Sequence, residues 1–349
     1  MPNPKPRIVV IGYGMAGRII HAPLITACPA LDLAGIVSSR PDAVLADWPD
    51  VTVIPDLDTV LKDPTIDAVV IATPNEHHGA QAIAALNAGK HVVIDKPFAT
   101  SRAEARAIAD AAKSNSRIVQ AFQNRRWDTH ILTARDLLQK KSFGDVSDVA
   151  LRYDRLRAIV PGRWSDEDRP GSGLWFNLGS HLADQAVHLF GKPLTVYADF
   201  QAQRPGAKTI DYFNVILGYD RFRVTLHSCV ISPAPGPVIE IQGSRGAFVK
   251  WGEDSQEDGL KVRAVPGRPG WGADPHPGTF TPAEGETRGT PVTVAGLPGD
   301  YPAFYAGLAA AIATGAPAPV PLDETLIVMD ILDLAIESAA TGRRLELNT

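Results

Sequence analysis

A short apolar strand that runs directly into a glycine-rich turn constrains the fold of this chain more than any other feature. Residues 7–11, RIVVI, form a continuous apolar run, which is typical of a strand buried on both faces of a parallel sheet. GYGMAG follows at once, from Gly12 to Gly17, and a helical stretch through HAPLITACPA comes next. A G-x-G-x-x-G motif placed between a strand and a helix indicates a dinucleotide-binding unit.

Each part of this motif has its own physical reason. Gly12 permits the tight turn, Gly14 lets the backbone approach a pyrophosphate, and Gly17 lets the helix and the strand pack closely. The amide groups at the start of the helix, near Met15 and Ala16, can donate hydrogen bonds to the anion. The alternative is a plain strand-to-helix turn that needs glycine only for its geometry.

Strands and helices continue to alternate after the motif. This pattern predicts a doubly wound parallel sheet, a Rossmann domain that binds NAD(P) over residues 1–122. The predicted strands are 31–39, 67–74, 91–97 and 117–122. Because ligands of such sheets bind outside the carboxyl ends of the strands, we expect the cofactor there. Beyond the glycine turn, the candidate cofactor-binding residues are Ser38, Ser39, Arg40, Thr73, Pro74, Asn75, His78, Asp95, Lys96 and Asn124.

The end of the second strand favours NADP over NAD. An NAD site normally has an acidic residue there, about 20 residues after the glycines, to bind the ribose 2′-hydroxyl. Here the strand ends in Ser38, Ser39 and Arg40, with no acid. Hydroxyl donors and a guanidinium suit a 2′-phosphate. The alternative is that Arg40 is a solvated loop residue and that the cofactor preference is loose.

The pattern changes beyond residue 122. Several strand candidates follow one another without intervening helices, which predicts an open, mainly antiparallel sheet in an α+β domain over residues 123–349. Residues 252–298 are rich in glycine, proline and charge and are predicted to be a long irregular excursion. Two helices close the chain, and the second of them, 323–341, can pack back on the first domain. We expect the second domain to carry the substrate and oligomerisation surfaces.

The helix predicted within residues 171–191 carries an unusual polar stripe. Asn177, His181, Asp184 and His188 fall within a stripe roughly 60° wide at about 100° per residue, and almost all the remaining circumference is apolar. A helix that is apolar nearly all round is buried. If it lies at the domain boundary, the stripe faces the cofactor crevice and His181 can carry a proton. The alternative is a core histidine paired with Asp184, and His188 suits a core role.

Further polar residues are candidates for the chemistry. Lys96 ends a strand, and from there its ammonium group can donate to a substrate oxygen and stabilise negative charge on it. A lysine at this position can also be no more than the charged edge of the strand. Weaker candidates for shaping the substrate pocket are Arg126, Trp127, Tyr153 and Arg155. Arg126 and Arg155 can equally be structural salt-bridge partners.

Composition narrows the classes of partner. A formal net charge of -5 and a pI near 6.0 argue against nucleic acid or an anionic membrane as the partner. No run approaches the roughly 18–20 apolar residues of a membrane span, and the start of the chain lacks a signal-peptide pattern. Cys28 and Cys229 are expected to be buried free thiols. We therefore predict a cytoplasmic protein that needs no metal.

Several motifs in order carry a family resemblance over essentially the full length. GYGMAG, TPNEHH, ALNAGKHVVIDKP and GSGLWFNLGSHLADQ resemble the Gfo/Idh/MocA family of nicotinamide-dependent sugar and polyol oxidoreductases. A closer likeness is to its NADP-dependent scyllo-inositol dehydrogenases, through IIHAPL, the SSR after the second strand, QNRRWD and LPGDYPAFY. Family members more often have glutamate where Asp95 stands.

The resemblance implies roles for three residues. Lys96 is the catalytic lysine of the (E/D)KP motif, usually before a cis proline, here Pro97. His181 matches the histidine of the GxHxxD element and would be the general acid and base. Family members commonly have aspartate where Asn177 stands; asparagine can orient a hydroxyl but cannot ionise or share the histidine's proton.

We therefore predict an NADP-dependent dehydrogenase of a cyclic polyol or sugar, of inositol type. The resemblance also implies a homodimer or homotetramer, because the open sheet face is a dimerisation surface in the family. Two alternatives stay open: an aldose dehydrogenase or keto-sugar reductase on the same scaffold, and a nucleotide-binding regulator that has lost catalysis.

Overall fold

The computed structural model describes residues 5–160, 162 and 166–347 of the 349-residue chain. They form two compact units. The first comprises the described residues up to Asn124 together with Gln256–Trp271 and Asp300–Leu326. The second comprises the remaining described residues. Each unit is thus built from separate stretches of the chain, and the division into 1–122 and 123–349 stays a prediction of the domain boundary.

A parallel sheet forms the centre of the first unit. The strand order is β3-β2-β1-β4-β5-β6, and β1, β4 and β5 are almost fully buried, as their apolar sequences predict. The order reverses direction between β1 and β4, which is where doubly wound sheets bind their ligands. The strands are β1 (Arg7–Ile11), β2 (Asp32–Val37), β3 (Val53–Ile54), β4 (Ala68–Ile71), β5 (His91–Ile94) and β6 (Val119–Ala121).

Helices connect these strands. The helix after the glycine turn starts with a π-helical stretch, Ala16–His21, that continues into α1 (Ala22–Ala27). The longest of this group, α5, begins at Ser101, whose Oγ accepts a hydrogen bond from the Glu104 N–H at 3.2 Å. The others are α2 (Pro41–Asp47), α3 (Leu57–Lys62), a 3-10 turn at Asn75–His77 that runs into α4 (His78–Asn87), and α5 (Arg102–Ser114).

The second unit has a mixed, mainly antiparallel sheet. The order is β14-β13-β12-β11-β7-β10-β9-β8-β16, with β15 paired to β13. Among the described pairings in this sheet, β7 with β10 is the parallel one. Its first strands are β7 (Val146–Arg152), β8 (Thr195–Gln201), β9 (Tyr212–Gly218), β10 (Arg223–Cys229), β11 (Ile239–Gly243) and β12 (Gly246–Lys250). The predicted fold class, a Rossmann sheet followed by an open, mainly antiparallel sheet, is confirmed.

The helices of this unit include α6 (Thr129–Gln139), after a 3-10 turn at Asn124–Trp127, and the helix that carries the polar stripe. The latter has a π-helical stretch, Trp175–Gly179, followed by α7 (Ser180–Phe190), which packs on β7 and β10. Trp175 is fully buried and donates a hydrogen bond from Nε1 to the Leu332 carbonyl at 3.1 Å. A Cβ at Gly179 would collide with the Trp175 ring, so glycine allows this packing.

The prediction of a long irregular excursion over 252–298 is wrong in part. The segment contains α8 (Gln256–Lys261), β13 (Gly278–Glu284), β14 (Thr287–Arg288) and β15 (Val292–Val294). Glycine and proline at the strand ends hide the pattern, although Gly278 itself is needed because a Cβ there would strike the Phe248 ring. The chain then forms α9 (Pro302–Thr314), α10 (Leu322–Thr341) and β16 (Leu345–Glu346).

The helices also bear on membrane insertion. Over the described ranges, none of them combines the length and the apolar character that crossing a bilayer requires.

Candidate active site

The glycine-rich turn, called the glycine cradle below, is closely packed at Gly12 and Gly17 and open at Gly14. Gly12 has a φ of 101°, and a Cβ there would lie 2.7 Å from the Ala72 carbonyl oxygen. A Cβ at Gly17 would collide with the Gly12 carbonyl oxygen, so close packing requires both glycines. Gly14 is different, because a Cβ there would meet nothing within 4 Å. The backbone at Gly14 therefore faces open space that a pyrophosphate can enter.

The residues after β1, β2 and β4 line one cavity of about 340 Å³. The structure thus brings together seven of the predicted cofactor residues: Gly12, Gly14, Ser38, Ser39, Arg40, Thr73 and Pro74. Sequence reasoning missed Leu57 and Gln81, which also line it. Gln81 lies on α4 and accepts a hydrogen bond from the Thr73 hydroxyl at 2.7 Å. Gln81 could not be predicted from the residues at the strand ends, because it lies on a helix.

Arg40 supplies the charge of this cavity. Among the described residues that line it, Arg40 is the one with a charged side chain, and none is acidic. Its Nη2 donates a hydrogen bond to the Tyr13 carbonyl oxygen at 2.9 Å, and its backbone N–H donates to the Ser38 Oγ at 3.0 Å. These contacts draw the exposed Arg40 over the glycine turn, so Arg40 is tied to the turn and is more than a solvated loop residue.

A second network fixes Tyr13, a residue that sequence reasoning did not single out. Its hydroxyl donates to Asp47 Oδ2 at 2.8 Å, and burial followed by this contact raises the pKa of Tyr13 to about 12. Asp47 also binds Arg18 and Arg263, and the Arg18 contact is the main cause that holds the pKa of Asp47 well below its usual range. The loop that carries Tyr13 is therefore anchored from outside the cavity.

The other predicted cofactor residues differ in exposure. Met15 is exposed and Ala16 half-buried at the start of the helix, whereas Asn75 and Asn124 are buried. His78 is only 1% exposed, and both of its ring nitrogens lie 2.9 Å from backbone carbonyl oxygens, those of Thr73 and Pro97. His78 thus has a backbone contact at each ring nitrogen.

Lys96 lies just beyond the carboxyl end of β5 and is half-buried. The Lys96–Pro97 peptide bond is cis, as the family resemblance implies. Asp95 is 3.5 Å from the ring of the fully buried His21. Burial would raise the pKa of Asp95, but the contact with His21 and electrostatic interactions with His21, Lys96 and His78 bring it below its ordinary value. The residue before Lys96 is therefore an ionised carboxylate.

In the second unit, the polar stripe divides into an exposed end and a buried end. Asn177 lies in the π-helical stretch and is exposed, and His181 is 4% exposed one turn later. Asp184 is buried and accepts hydrogen bonds from Arg126 at both oxygens, at 2.9 Å from Nε and 2.6 Å from Nη2. Arg126 is itself 2% exposed. The structure thus places Arg126 in a buried ion pair, which is the structural alternative to a role in the substrate pocket.

His188 is half-buried beside Arg126. Its Nδ1 lies 3.4 Å from Arg126 Nη1. Burial, followed by the charges of Arg126 and Arg135, lowers the pKa of His188 to about 3. The ring is therefore neutral near pH 7.

The remaining substrate candidates are mostly engaged inside the second unit. Tyr153 is buried; its hydroxyl donates to Asp128 Oδ2 at 3.1 Å and accepts from Gln185 Nε2 at 2.8 Å. Arg155 forms a salt bridge with Glu253, which is again the structural alternative. Trp127 is half-buried. Of these residues, the structure makes Tyr153 a member of a buried polar network and not a lining residue of a described cavity.

Two family profiles match the chain. The profile described as the oxidoreductase family, NAD-binding Rossmann fold, of Gfo/Idh/MocA proteins matches residues 6–123. The profile of the C-terminal alpha/beta domain of the same family matches residues 135–347.

Individual relatives agree with these profiles. The uncharacterized oxidoreductase YdgJ of Escherichia coli is 43% identical over 333 residues, which cover 95% of this chain and 96% of that protein. The scyllo-inositol 2-dehydrogenase (NADP(+)) IolW of Bacillus subtilis is 34% identical over 343 residues, 98% of this chain and 96% of that protein. The solved structure of yvaA from Bacillus subtilis superposes with a TM-score of 0.95 at 34% identity and covers 98% of each chain.

Proposed function

The chain belongs to the Gfo/Idh/MocA oxidoreductase family, and from this premise we propose that it is an NADP-dependent dehydrogenase of a cyclic polyol or sugar, of inositol type. Membership confirms the expected class, a nicotinamide-dependent dehydrogenase that acts on CH–OH groups. The inositol proposal is supported by the similarity to IolW, which is named as an NADP-dependent scyllo-inositol dehydrogenase.

The preference for NADP rests on the cavity of the first unit. Its glycine cradle fits a pyrophosphate, and Arg40 gives its lining a positive charge that no lining carboxylate offsets among the described residues. A carboxylate at this place would repel a 2′-phosphate, whereas a guanidinium binds it through two parallel hydrogen bonds. Ser38 and Ser39 add hydroxyl groups to the same wall.

We assign the chemistry to three side chains. A bound nicotinamide would supply the acceptor for the hydride of the alcohol carbon. As the C–H and O–H bonds of the alcohol break and a C=O bond forms, His181 accepts the hydroxyl proton. Lys96 stabilises the negative charge that develops on the oxygen, and Asn177 orients a neighbouring hydroxyl. In the reverse direction, His181 returns the proton to the carbonyl oxygen.

Asn177 departs from the family pattern next to the proposed base. Its side chain can donate and accept hydrogen bonds but holds no charge, so it cannot offer His181 the carboxylate that an aspartate at this position would supply. The proposal therefore assigns proton uptake to His181 without a charged helper at this position.

Substrate profiling tests the proposal directly. NADP⁺ and NAD⁺ are offered with scyllo-inositol, myo-inositol and a set of aldoses, and reduction is followed by nicotinamide absorbance. Turnover with an inositol and NADP⁺ is the expected result. Turnover with aldoses alone would replace it by the aldose dehydrogenase alternative. No turnover with any substrate in either direction, while NADPH still binds, would favour the regulator alternative.

Lys96→Ala tests the assignment of the lysine. This variant should lose turnover and still bind NADPH, because the glycine cradle and Arg40 are unchanged. Lys140→Ala is the matched control, since Lys140 is an exposed lysine at the end of α6 in the second unit. Unchanged turnover in Lys96→Ala would show that another group stabilises the oxygen.

Arg40→Ala tests the cofactor. The ratio of NADPH to NADH affinity should fall by about tenfold or more, since a charge-assisted bidentate contact to the phosphate is lost. Arg288→Ala, which removes an exposed arginine on β14, serves as the control. An unchanged ratio in Arg40→Ala would exclude the 2′-phosphate role.

We also propose a homodimer or homotetramer, in line with the family resemblance. Light scattering coupled to size exclusion measures this, and a monomeric mass at working concentration would contradict it.

A further inference from the structure

Two buried histidines lie on either side of the Asp95–Lys96–Pro97 turn in the first unit. His21, the last residue of the π-helical stretch, is fully buried and faces Asp95. His78, the first residue of α4, is 1% exposed and faces Pro97. Lys96 is joined by a peptide bond to each of the two residues that the histidines contact. Contacts at both neighbours restrict the positions that the Lys96 backbone can take, because consecutive Cα atoms are a set distance apart.

Tyr305 orients the first histidine. Its hydroxyl lies 2.6 Å from His21 Nδ1. Burial, followed by the charge of Asp95, raises the pKa of Tyr305 well above its ordinary value, so this hydroxyl keeps its proton. In a neutral His21 ring, a proton on Nε2 leaves Nδ1 to accept a hydrogen bond from this hydroxyl. Nε2 is the nitrogen that faces Asp95 Oδ1 at 3.5 Å.

Aromatic packing holds the His21 ring in this orientation. The Phe122 ring lies 4.3 Å from the His21 ring, between centroids, and Tyr305 meets the His21 ring edge-on at 6.3 Å. Phe304 packs edge-on against both Phe122 and Tyr305, at 4.9 and 5.2 Å. A ring enclosed in this way cannot turn without displacing its neighbours. Tyr305, His21 and Asp95 therefore form one fixed chain of contacts.

The second histidine ties together two strand ends. His78 Nδ1 lies 2.9 Å from the Pro97 carbonyl oxygen, and Nε2 lies 2.9 Å from the Thr73 carbonyl oxygen. Thr73 follows β4 and lines the cavity assigned to the cofactor, whereas Pro97 follows β5. Carbonyl oxygens only accept hydrogen bonds, so an imidazole nitrogen that carries a proton is a good partner at either place. His78 thus links the Lys96 turn to the wall of the cofactor cavity.

We propose that His21 and His78 are positioning residues for Lys96: His21, oriented by Tyr305, fixes the Asp95 carboxylate, and His78 fixes the Pro97 carbonyl. The proposal rests on the proposed function for the catalytic role of Lys96. The proposal goes beyond that function because it assigns the accurate placement of Lys96 to three groups that do not touch substrate: His21, Tyr305 and His78. Displacing a catalytic group by about 1 Å costs on the order of a hundredfold in rate, so small movements of this turn matter.

Paired variants of His21 separate positioning from simple packing. His21→Gln keeps an amide N–H near the place of Nε2, whereas His21→Met keeps similar bulk and loses the donor. We expect His21→Met to lower kcat by about tenfold with the KM for NADP⁺ unchanged, and His21→Gln to retain most of kcat.

The control lies at the other end of the same strand. His91 begins β5, and its Nδ1 accepts a hydrogen bond from the Ile118 N–H at 3.0 Å. His91→Met removes a half-buried histidine contact of similar kind without touching the Lys96 turn. It should leave kcat and its pH profile unchanged. Equal losses in His91→Met and His21→Met would mean that both act through stability of the sheet, and would overturn the proposal.

A measurement that needs no substrate keeps this proposal distinct from the proposed function. Nitrogen-15 histidine spectra should show the Nε2–H form of His21 in the wild type and a change of form in Tyr305→Phe. Reductive methylation with carbon-13 should give one Lys96 resonance in the wild type and in His21→Gln, but a broadened or split one in His21→Met and His78→Met. An Nδ1–H form of His21, or an unchanged Lys96 resonance in all variants, would overturn the proposal. If the wild type turns over no polyol, the proposed function fails while these spectra still decide the positioning.

Discussion

The ion pair between Arg126 and Asp184 yields the sharpest prediction about the second unit. Both side chains are almost completely buried, and two hydrogen bonds join them at 2.9 and 2.6 Å. Removing one partner of such a pair leaves a buried charge without compensation, which costs about 3–5 kcal/mol. Replacing both partners by apolar residues of similar volume is close to neutral, because the desolvation cost of the charges disappears as well.

A double-mutant cycle measures this directly. Arg126→Met and Asp184→Leu should each lower the free energy of unfolding by about 3 kcal/mol or more, and the double variant should recover most of the loss. Urea unfolding followed by tryptophan fluorescence gives the free energies. Substrate KM is measured on the double variant, in which the fold is restored but the guanidinium is absent.

Two results would refute the reasoning. Additive losses in the double variant would show that the two charges do not compensate each other. A double variant that recovers its stability but has a strongly raised substrate KM would return Arg126 to the substrate pocket. The expected pattern, recovered stability with nearly unchanged KM, identifies Arg126 as a structural residue behind the stripe.

Further predictions concern pH and the cradle. The pKa of His188 is lowered to about 3 in the folded chain. The unfolded chain therefore binds a proton near pH 6.5 that the folded chain does not bind. The free energy of unfolding should fall as the pH drops from 6.5 towards 3, and the loss should be about 2 kcal/mol at pH 5. His188→Gln should lose less stability than the wild type between pH 7 and 5 in urea titrations, and equal losses would contradict this. Gly17→Ala should destabilise the fold by about 1–3 kcal/mol and weaken NADPH binding, because its Cβ strikes the Gly12 carbonyl oxygen. Gly14→Ala should keep its stability and still bind NADPH less tightly, since its Cβ enters open space; unchanged affinity by calorimetry would show that the cradle does not hold the cofactor.

Most of the fold could be predicted because local pattern and tertiary role agree in this chain. The apolar run of β1 ends in glycines that the closed turn requires, and the alternation of β10 leaves one face buried. Strands β13 to β15 could not be predicted, because their sequences are short and interrupted by glycine and proline. Their register comes from pairing with β12 and with each other, which are non-local contacts.

The cavity residues could be predicted for a similar reason. Parallel strands bring their carboxyl ends to one edge, so Ser38, Arg40 and Thr73 meet as a consequence of topology. Two networks could not be predicted, because they join residues that are far apart in sequence. Tyr13 and Asp47 are 34 positions apart, and His21 and Tyr305, in the chain of contacts that leads to Asp95, are 284 positions apart. Histidines such as His21 and His78 stand out in a sequence, but only their buried contacts show that they hold backbone or carboxylate groups.

The polar stripe of the second unit shows how far a helical pattern can be interpreted. One line of four polar residues suggested one surface, yet their environments differ along the helix. Exposure falls from Asn177, through His181 at 4%, to Asp184 at 1%, and His188 is held neutral beside Arg126. The exposed residue Asn177 lies in a π-helical stretch, a distortion that is frequent at functional sites. The buried end neutralises an arginine inside the unit, so the two halves of the stripe are kept polar by different physical demands.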